Sequence, residues 1–386
     1  MKHSDRSTYN IYSGNSGVRR RRNSNRRKTF VIVCLLLCMT CSVLDAIFIT
    51  KLIKHSKKKS EPTETTVTDT NTEVIMTDES GNPISVETSD PSDTSIATET
   101  TPARTQTVDA ATRAANLETL KGKITDYLGQ QSGRYSMYYI NMNNGESIGV
   151  NENAPIVAAS SIKIAYNTYL YEKVESGELS LDEKMRYNAA PYPDGDLETG
   201  TGTIQNSADG TEFSLQEVSH LSITISDNCG TNMVLRRLGG IDAVNNNYLK
   251  SISSIVDYLE KVQYTDYTGK VSEGRRRTSS IDLAKYAEHT YQDWTRNQEL
   301  YQPLIDDLCN TEYNWGVPQG VPASVKVAHK VGFNPTYNTN NDIAIVFGTE
   351  DYVLCVMTES GDEQKAHNII GEVSRMVYEY VESNYA

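Results

Sequence analysis

The sequence predicts an α+β domain over residues 113–386, an antiparallel sheet flanked by helices with a separate helical lobe. Three observations lead there. A helix-spaced run and a hairpin signal open the region, three strand-like runs and a helix close it, and helical segments fill the stretch between. For the early hairpin and the late strands to share one sheet, the two ends of the domain must meet. The helical middle is then left to pack as its own lobe.

In chain order, AANLETLKGKITDYLGQ places Leu117, Leu120, Ile124, Tyr127 and Leu128 at helical spacing. YSMYYINMNNGESIGV alternates and turns at Asn144-Gly145, a dipeptide suited to the positive φ of a tight hairpin. Helices are expected from Ser160 to about Glu175, from Gly230 to Leu238, from Ser280 to about Thr290 and from Gln364 to about Tyr380. Strands are expected over SVKVAH, NDIAIVFG and YVLCVMT. No internal repeat is visible.

Three segments precede the domain. Residues 1–28 form a basic tail with nine Lys/Arg against Asp5. Residues 29–50 contain FVIVCLLLCMTCSVLDAIFIT, an apolar run long enough to span a bilayer, which needs ~20 residues. No small-x-small cleavage site follows it and Leu37 precedes Cys38, so an uncleaved anchor is favoured over a signal peptide or lipoprotein signal. Seven close positive charges before the run against five after it place the N-terminus in the cytoplasm and the domain outside the cell. Residues 51–112 are rich in Thr, Ser, Asp and Glu without an aromatic residue, and read as a disordered, self-repelling stalk.

The net charge of −13 is unevenly spread, and residues 113–386 carry −15 of it. An acidic domain repels phosphate backbones, which excludes nucleic acid as its partner. Cys34, Cys38 and Cys41 lie in the apolar run, while Cys229, Cys309 and Cys355 are scattered, giving neither a disulfide framework nor a metal pattern.

AASSIKIAYNTYL contains one lysine, Lys163, one helical turn after Ser160. A lysine there either points to water or takes a proton from Ser160. Ser-x-x-Lys alone is expected about once by chance in a chain this rich in serine. Two further motifs give it weight: Ser226-Asp227-Asn228 lies before a helix, and Lys330-Val331-Gly332 lies at the end of a strand. Ser-x-x-Lys, Ser-Asp-Asn and Lys-x-Gly in this order form the motif set of class A β-lactamases and penicillin-binding proteins.

Residues 113–386 resemble the class A β-lactamase catalytic domain over its full length. SDNCGTNMVLRRLGG, RTSSIDLAKYA and NDIAIVFG are also similar to that family's segments. The resemblance implies a β-lactamase/transpeptidase-like fold and a serine hydrolase acting on β-lactam or D-Ala-D-Ala-like carbonyls, without a cofactor or metal. It implies Ser160 as nucleophile, Lys163 as its base and Ser226 as proton relay. Asn228 would orient the substrate and Lys163, while Lys330 and Gly332 belong to the substrate-binding strand. The backbone N–H groups of Ser160 and Phe333 would form the oxyanion hole. A β-lactam or a peptidoglycan stem peptide is the implied partner, and the catalytic domain is expected to be monomeric.

Three departures from the family matter. No Glu-x-x-Leu-Asn loop is present to deacylate, only Glu260 and Glu273 in the corresponding stretch. Val331 replaces the threonine that contacts a substrate carboxylate, and the arginine on the following strand is missing. Arg275, Arg276 and Arg277 offer a substitute guanidinium, although a solvated charge run is the plainer reading. His329 reads as a strand-end residue rather than a ligand. The 24 tyrosines against five phenylalanines suit half-buried positions as well as a glycan-binding surface. A D-alanyl-D-alanine peptidase on the same machinery is one alternative. A catalytically degenerate domain that binds cell wall is another, and the intact Ser160, Lys163, Ser226, Asn228 and Lys330 argue against it.

Overall fold

The computed structural model describes residues 105–260, 263–272 and 276–386. Helix α1 (Ala110–Gly129) and the hairpin of β1 (Arg134–Asn141) and β2 (Ser147–Val150) open the domain. A short strand β3 (Ile156–Val157) leads through a single turn at Ala159–Ile162 into α2 (Lys163–Glu175). The lobe contains α3 (Leu215–Thr224) and α4 (Asn228–Arg237). A short strand β4 (Arg277–Thr278) pairs with β3, and α5 (Ser280–Arg296) and α6 (Gln298–Cys309) follow. Strands β5 (Lys326–Asn334), β6 (Thr339–Phe347) and β7 (Asp351–Glu359) and helix α7 (Glu363–Glu382) complete the chain.

The sheet runs β2-β1-β7-β6-β5 and is antiparallel at every junction, so the first strands pair with the last as expected. Its two faces are buried by period-2 alternation. Ile343, Ile345, Val353, Cys355 and Met357 face the helical lobe, where they pack with Leu170, Met233, Leu283 and Leu304. Ala344, Val346, Leu354 and Val356 face α1 and α7, against Leu120, Ile124, Ile370 and Val377. Strands covered on both faces lose the polar half of the alternation, which is why NDIAIVF and YVLCVM read as continuous apolar runs.

The boundary at residue 113 falls too late. Asp109 caps α1 by accepting from the N–H groups of Ala111 and Thr112, and Gln106 bridges to Tyr385, so residues 105–112 belong to the folded domain. The basic tail, the 29–50 anchor and the stalk up to residue 104 lie outside the described residues. Among the described residues, no helix is long and apolar enough to cross a membrane.

Two side-chain expectations change. Twelve tyrosines are buried, including Tyr139, Tyr171, Tyr187, Tyr286, Tyr301 and Tyr352 at full burial, so tyrosine takes phenylalanine's place in this core rather than half-buried positions alone. Arg277 is not solvated: it is fully buried, pairs with Glu359 at 2.6 Å and donates to the Pro155 carbonyl, tying β4 to the start of β3 and the end of β7. His329 is buried and hydrogen-bonds Asp342 at 3.0 Å, a structural pair on neighbouring strands. Cys229, Cys309 and Cys355 are free thiols.

Candidate active site

Ser160 sits in the tight turn between β3 and α2, and three contacts shape that turn. Ala159 has φ +48°, a left-handed conformation that a non-glycine residue keeps only where its surroundings enforce it. Ser161 Oγ donates to the Ala158 carbonyl at 2.6 Å, and Asn341 Nδ2 on β6 donates to the Val157 and Ala158 carbonyls at 2.9 and 3.1 Å. Strand β5 then packs against the turn through Gly332. A Cβ there would lie 2.5 Å from Ser161 N, 2.6 Å from the Ala158 oxygen and 3.0 Å from Ser160 N. The glycine of Lys-x-Gly is therefore required by close approach of two backbones.

The other motif residues converge beside this turn. Ser226, fully buried with φ +55°, brings its hydroxyl between two lysines. Lys163 Nζ donates to Ser226 Oγ at 3.3 Å and Lys330 Nζ donates to it at 3.1 Å. A hydroxyl has two acceptor lone pairs and one proton, so an N–H donor from each lysine leaves the Ser226 proton free to be given elsewhere. Lys163 Nζ also donates to the Ser226 carbonyl at 2.8 Å and to Asn228 Oδ1 at 2.9 Å. Among the described residues no hydrogen bond joins Lys163 Nζ to Ser160 Oγ, although both line the same cleft; such contacts commonly tighten only when substrate is bound. Lys330 also donates to the Val331 carbonyl at 3.1 Å, and the Val331 side chain is fully buried.

Burying two amines together favours their neutral forms. Burial brings Lys163 down to about 7, against the opposing pull of Glu198 and Asp227. Lys330 is held well below the usual lysine range by burial and by the neighbouring Lys163. Asp227 is not available for chemistry. Its carboxylate accepts from the N–H groups of Thr203, Ile204 and Gly230, so it caps α4 and clamps the 199–204 loop over the site.

An open cleft of about 920 Å³ holds Ser160, Lys163, Asn228 and Phe333 on its walls. It also includes residues the motifs did not indicate: Tyr166, Tyr192, Glu198, Thr201, Tyr258 and Arg276. Thr201 Oγ1 donates to the Ser226 carbonyl at 2.6 Å and so helps to hold the strained turn. The Gly-Thr-Gly around Thr201 was its one sequence signal. Glu260 reaches the cleft wall as an exposed side chain, whereas Glu273 and Arg275 lie outside the described residues.

These features agree with what the chain resembles. A family model described as the β-lactamase enzyme family matches residues 119–381. The β-lactamase VEB-1 of Pseudomonas aeruginosa is 20% identical over 296 residues, which span 69% of this chain and 91% of that protein. A β-lactamase of Streptomyces fradiae is 25% identical over 275 residues, spanning 67% and 85%. Among solved structures, a point mutant of PBP-A in an acyl-enzyme complex with penicillin G aligns with a TM-score of 0.58 at 26% identity, over 69% of this chain and 97% of that one. A variant of the last common ancestor of Gram-negative class A β-lactamases aligns with a TM-score of 0.58 at 22% identity, over 68% and 98%. Matched across nearly all of its folded domain, this chain belongs to the β-lactamase enzyme family and is a serine hydrolase.

Proposed function

We propose that this hydrolase is acylated at Ser160 by β-lactams or D-Ala-D-Ala-like peptides and releases the acyl group slowly. The observation that carries this reading is the Ser226 hydroxyl held between two buried lysines beside the Ser160 turn. Lys163, near neutral at physiological pH, takes the Ser160 proton as Oγ attacks the carbonyl carbon. The oxyanion is received by the N–H groups of Ser160 and Phe333. Ser226 then gives its proton to the leaving nitrogen as the C–N bond breaks, and regains one from Lys163. The product is an ester on Ser160 and a free amine.

Hydrolysis of that ester needs a base to activate water. Tyr166 and Tyr258 stand in the cleft wall, and burial pushes both above the usual tyrosine range, Tyr166 far above it. Neither takes a proton from water at neutral pH. The cleft carboxylates of Glu198 and Glu260 are exposed, and Glu198 accepts from Asn232 Nδ2 at 3.2 Å. A mutant of PBP-A was solved as an acyl-enzyme complex with penicillin G, which supports this reading.

Intact-mass analysis after incubation with benzylpenicillin tests the proposal. A stable adduct on the peptide carrying Ser160, absent in Ser160→Ala, is expected. Rapid multiple turnover of a chromogenic cephalosporin would sink slow deacylation and assign water activation to Glu260 or Glu198.

The segment 29–50 is proposed as an uncleaved anchor that puts the domain on the outer face of the cell membrane. Added protease on intact cells should release a domain whose N-terminus lies before Asp109. A mature N-terminus near residue 50 without protease would mean a cleaved signal peptide.

A further inference from the structure

Nine arginines fall among the described residues, and eight of them meet a carboxylate. Arg113, Arg134, Arg186, Arg236, Arg237, Arg277, Arg296 and Arg375 each lie within ion-pair distance of Glu or Asp. Among those residues only Arg276 has no such partner, and it lies half-buried in the wall of the Ser160 cleft. Its neighbours there are the tyrosines Tyr166, Tyr192 and Tyr258. A guanidinium that has given up part of its hydration without gaining a counter-ion is poised for an anion from solution.

The direction from which that anion comes follows from the chemistry at Ser160. The leaving nitrogen must face Ser226, which is reached from β5 through Lys330. The acyl portion, on the other side of the carbonyl carbon, then points away from that wall. Arg276 belongs to a different wall: its carbonyl accepts from Ala158 N at 3.5 Å, just before the nucleophile turn, and its side chain stands with Tyr166 and Tyr258. Three further carboxylates line the cleft, Glu198, Asp242 and Glu260, all of them exposed and solvated.

We infer that Arg276 forms an anion subsite in the acyl-side wall of the cleft, selecting substrates whose acyl side chain carries a carboxylate. The inference rests on the proposed acylation of Ser160. It separates this arginine from recognition of a carboxylate on the leaving-group side, where β5 and Lys330 lie.

Three penicillins that differ only in the charge of one side-chain substituent provide the test: benzylpenicillin, its α-carboxy derivative and its α-amino derivative. The α-carboxy compound should acylate Ser160 faster than benzylpenicillin by on the order of tenfold, and the α-amino compound should be slowest. Arg276→Gln should bring the carboxy-to-benzyl ratio close to one, and Arg276→Lys should keep part of it. A ratio at or below one in the unaltered protein, or a ratio unchanged in Arg276→Gln, overturns the subsite. Calorimetric binding of the same compounds to Ser160→Ala separates the two proposals. The same affinity order there, without acylation of the unaltered protein, retains the subsite and rejects the acyl-enzyme. Acylation without any charge preference does the reverse.

Discussion

Two buried cationic clusters stand at opposite functional extremes of this domain. In the first, Arg113 on α1 donates to Glu146 at 2.7 and 2.8 Å and to both oxygens of Glu350, which also accept from Asn141 and Tyr385. The hydrogen bonds that Arg113 donates to Glu146 and Glu350 push it upward. Glu350 ends below the usual carboxylate range, because the bonds from Arg113, Tyr385 and Asn141 outweigh the burial that raises it. In the second, Lys163 and Lys330 share one serine hydroxyl, and both are pushed down. The first cluster pairs its one cation with two carboxylates and ties the first helix to the sheet. The second places two buried amines side by side, and burial favours their neutral forms. Buried cations stabilise a fold when paired, and become reactive when burial outweighs pairing.

Substitutions in the two clusters should therefore act in opposite ways. The largest effect is expected from Lys163→Ala, which should slow acylation by ~10²–10⁴-fold, measured by stopped-flow or mass spectrometry. The stability of Lys163→Met should hold or rise, because a costly buried amine is gone. A strong loss of stability there would mean that the lysine cluster also stabilises the fold. Next, Arg113→Met leaves Glu146 and Glu350 without their cation and should cost about 3–5 kcal/mol in urea unfolding, with acylation at Ser160 preserved in the folded fraction. Gly332→Ala forces β5 away from the Ser160 turn and should cost about 1–3 kcal/mol while slowing acylation.

A smaller effect comes from pH. On the proposed acylation the neutral form of Lys163 takes the Ser160 proton, so the rate should rise roughly tenfold per pH unit below about 7 and level off above it. Lys163→Ala should lose that step; a flat profile in the unaltered protein would remove Lys163 as the base. The smallest effect is expected at the surface. Arg186 pairs with Glu212 in a solvated setting, and Arg186→Ala should change stability by less than about 1 kcal/mol.

Much of this molecule was legible in its residues. The motifs around Ser160, Ser226 and Lys330 name the cluster, because a serine nucleophile needs a base and a proton donor whatever the fold. The Asn-Gly turn and the two-sided apolar runs marked the sheet, since φ preference and burial periodicity act locally. The helix start was misplaced by a few residues because Asp109 caps α1 from inside a stretch whose composition resembles the stalk. Gly332 could be seen as a motif glycine, but the reason for it is a backbone contact with residues more than 150 positions away.

Arg276 and Arg277 show the limit most directly. The two are adjacent and chemically identical, and as a sequence they form one charge run. Successive side chains in extended backbone point to opposite sides, so Arg277 enters the core and finds Glu359, 82 positions later, while Arg276 turns to the cleft. Composition and spacing determined that cations stand here. Folding sets which one is neutralised, because a carboxylate partner is supplied by a strand that comes much later in the chain.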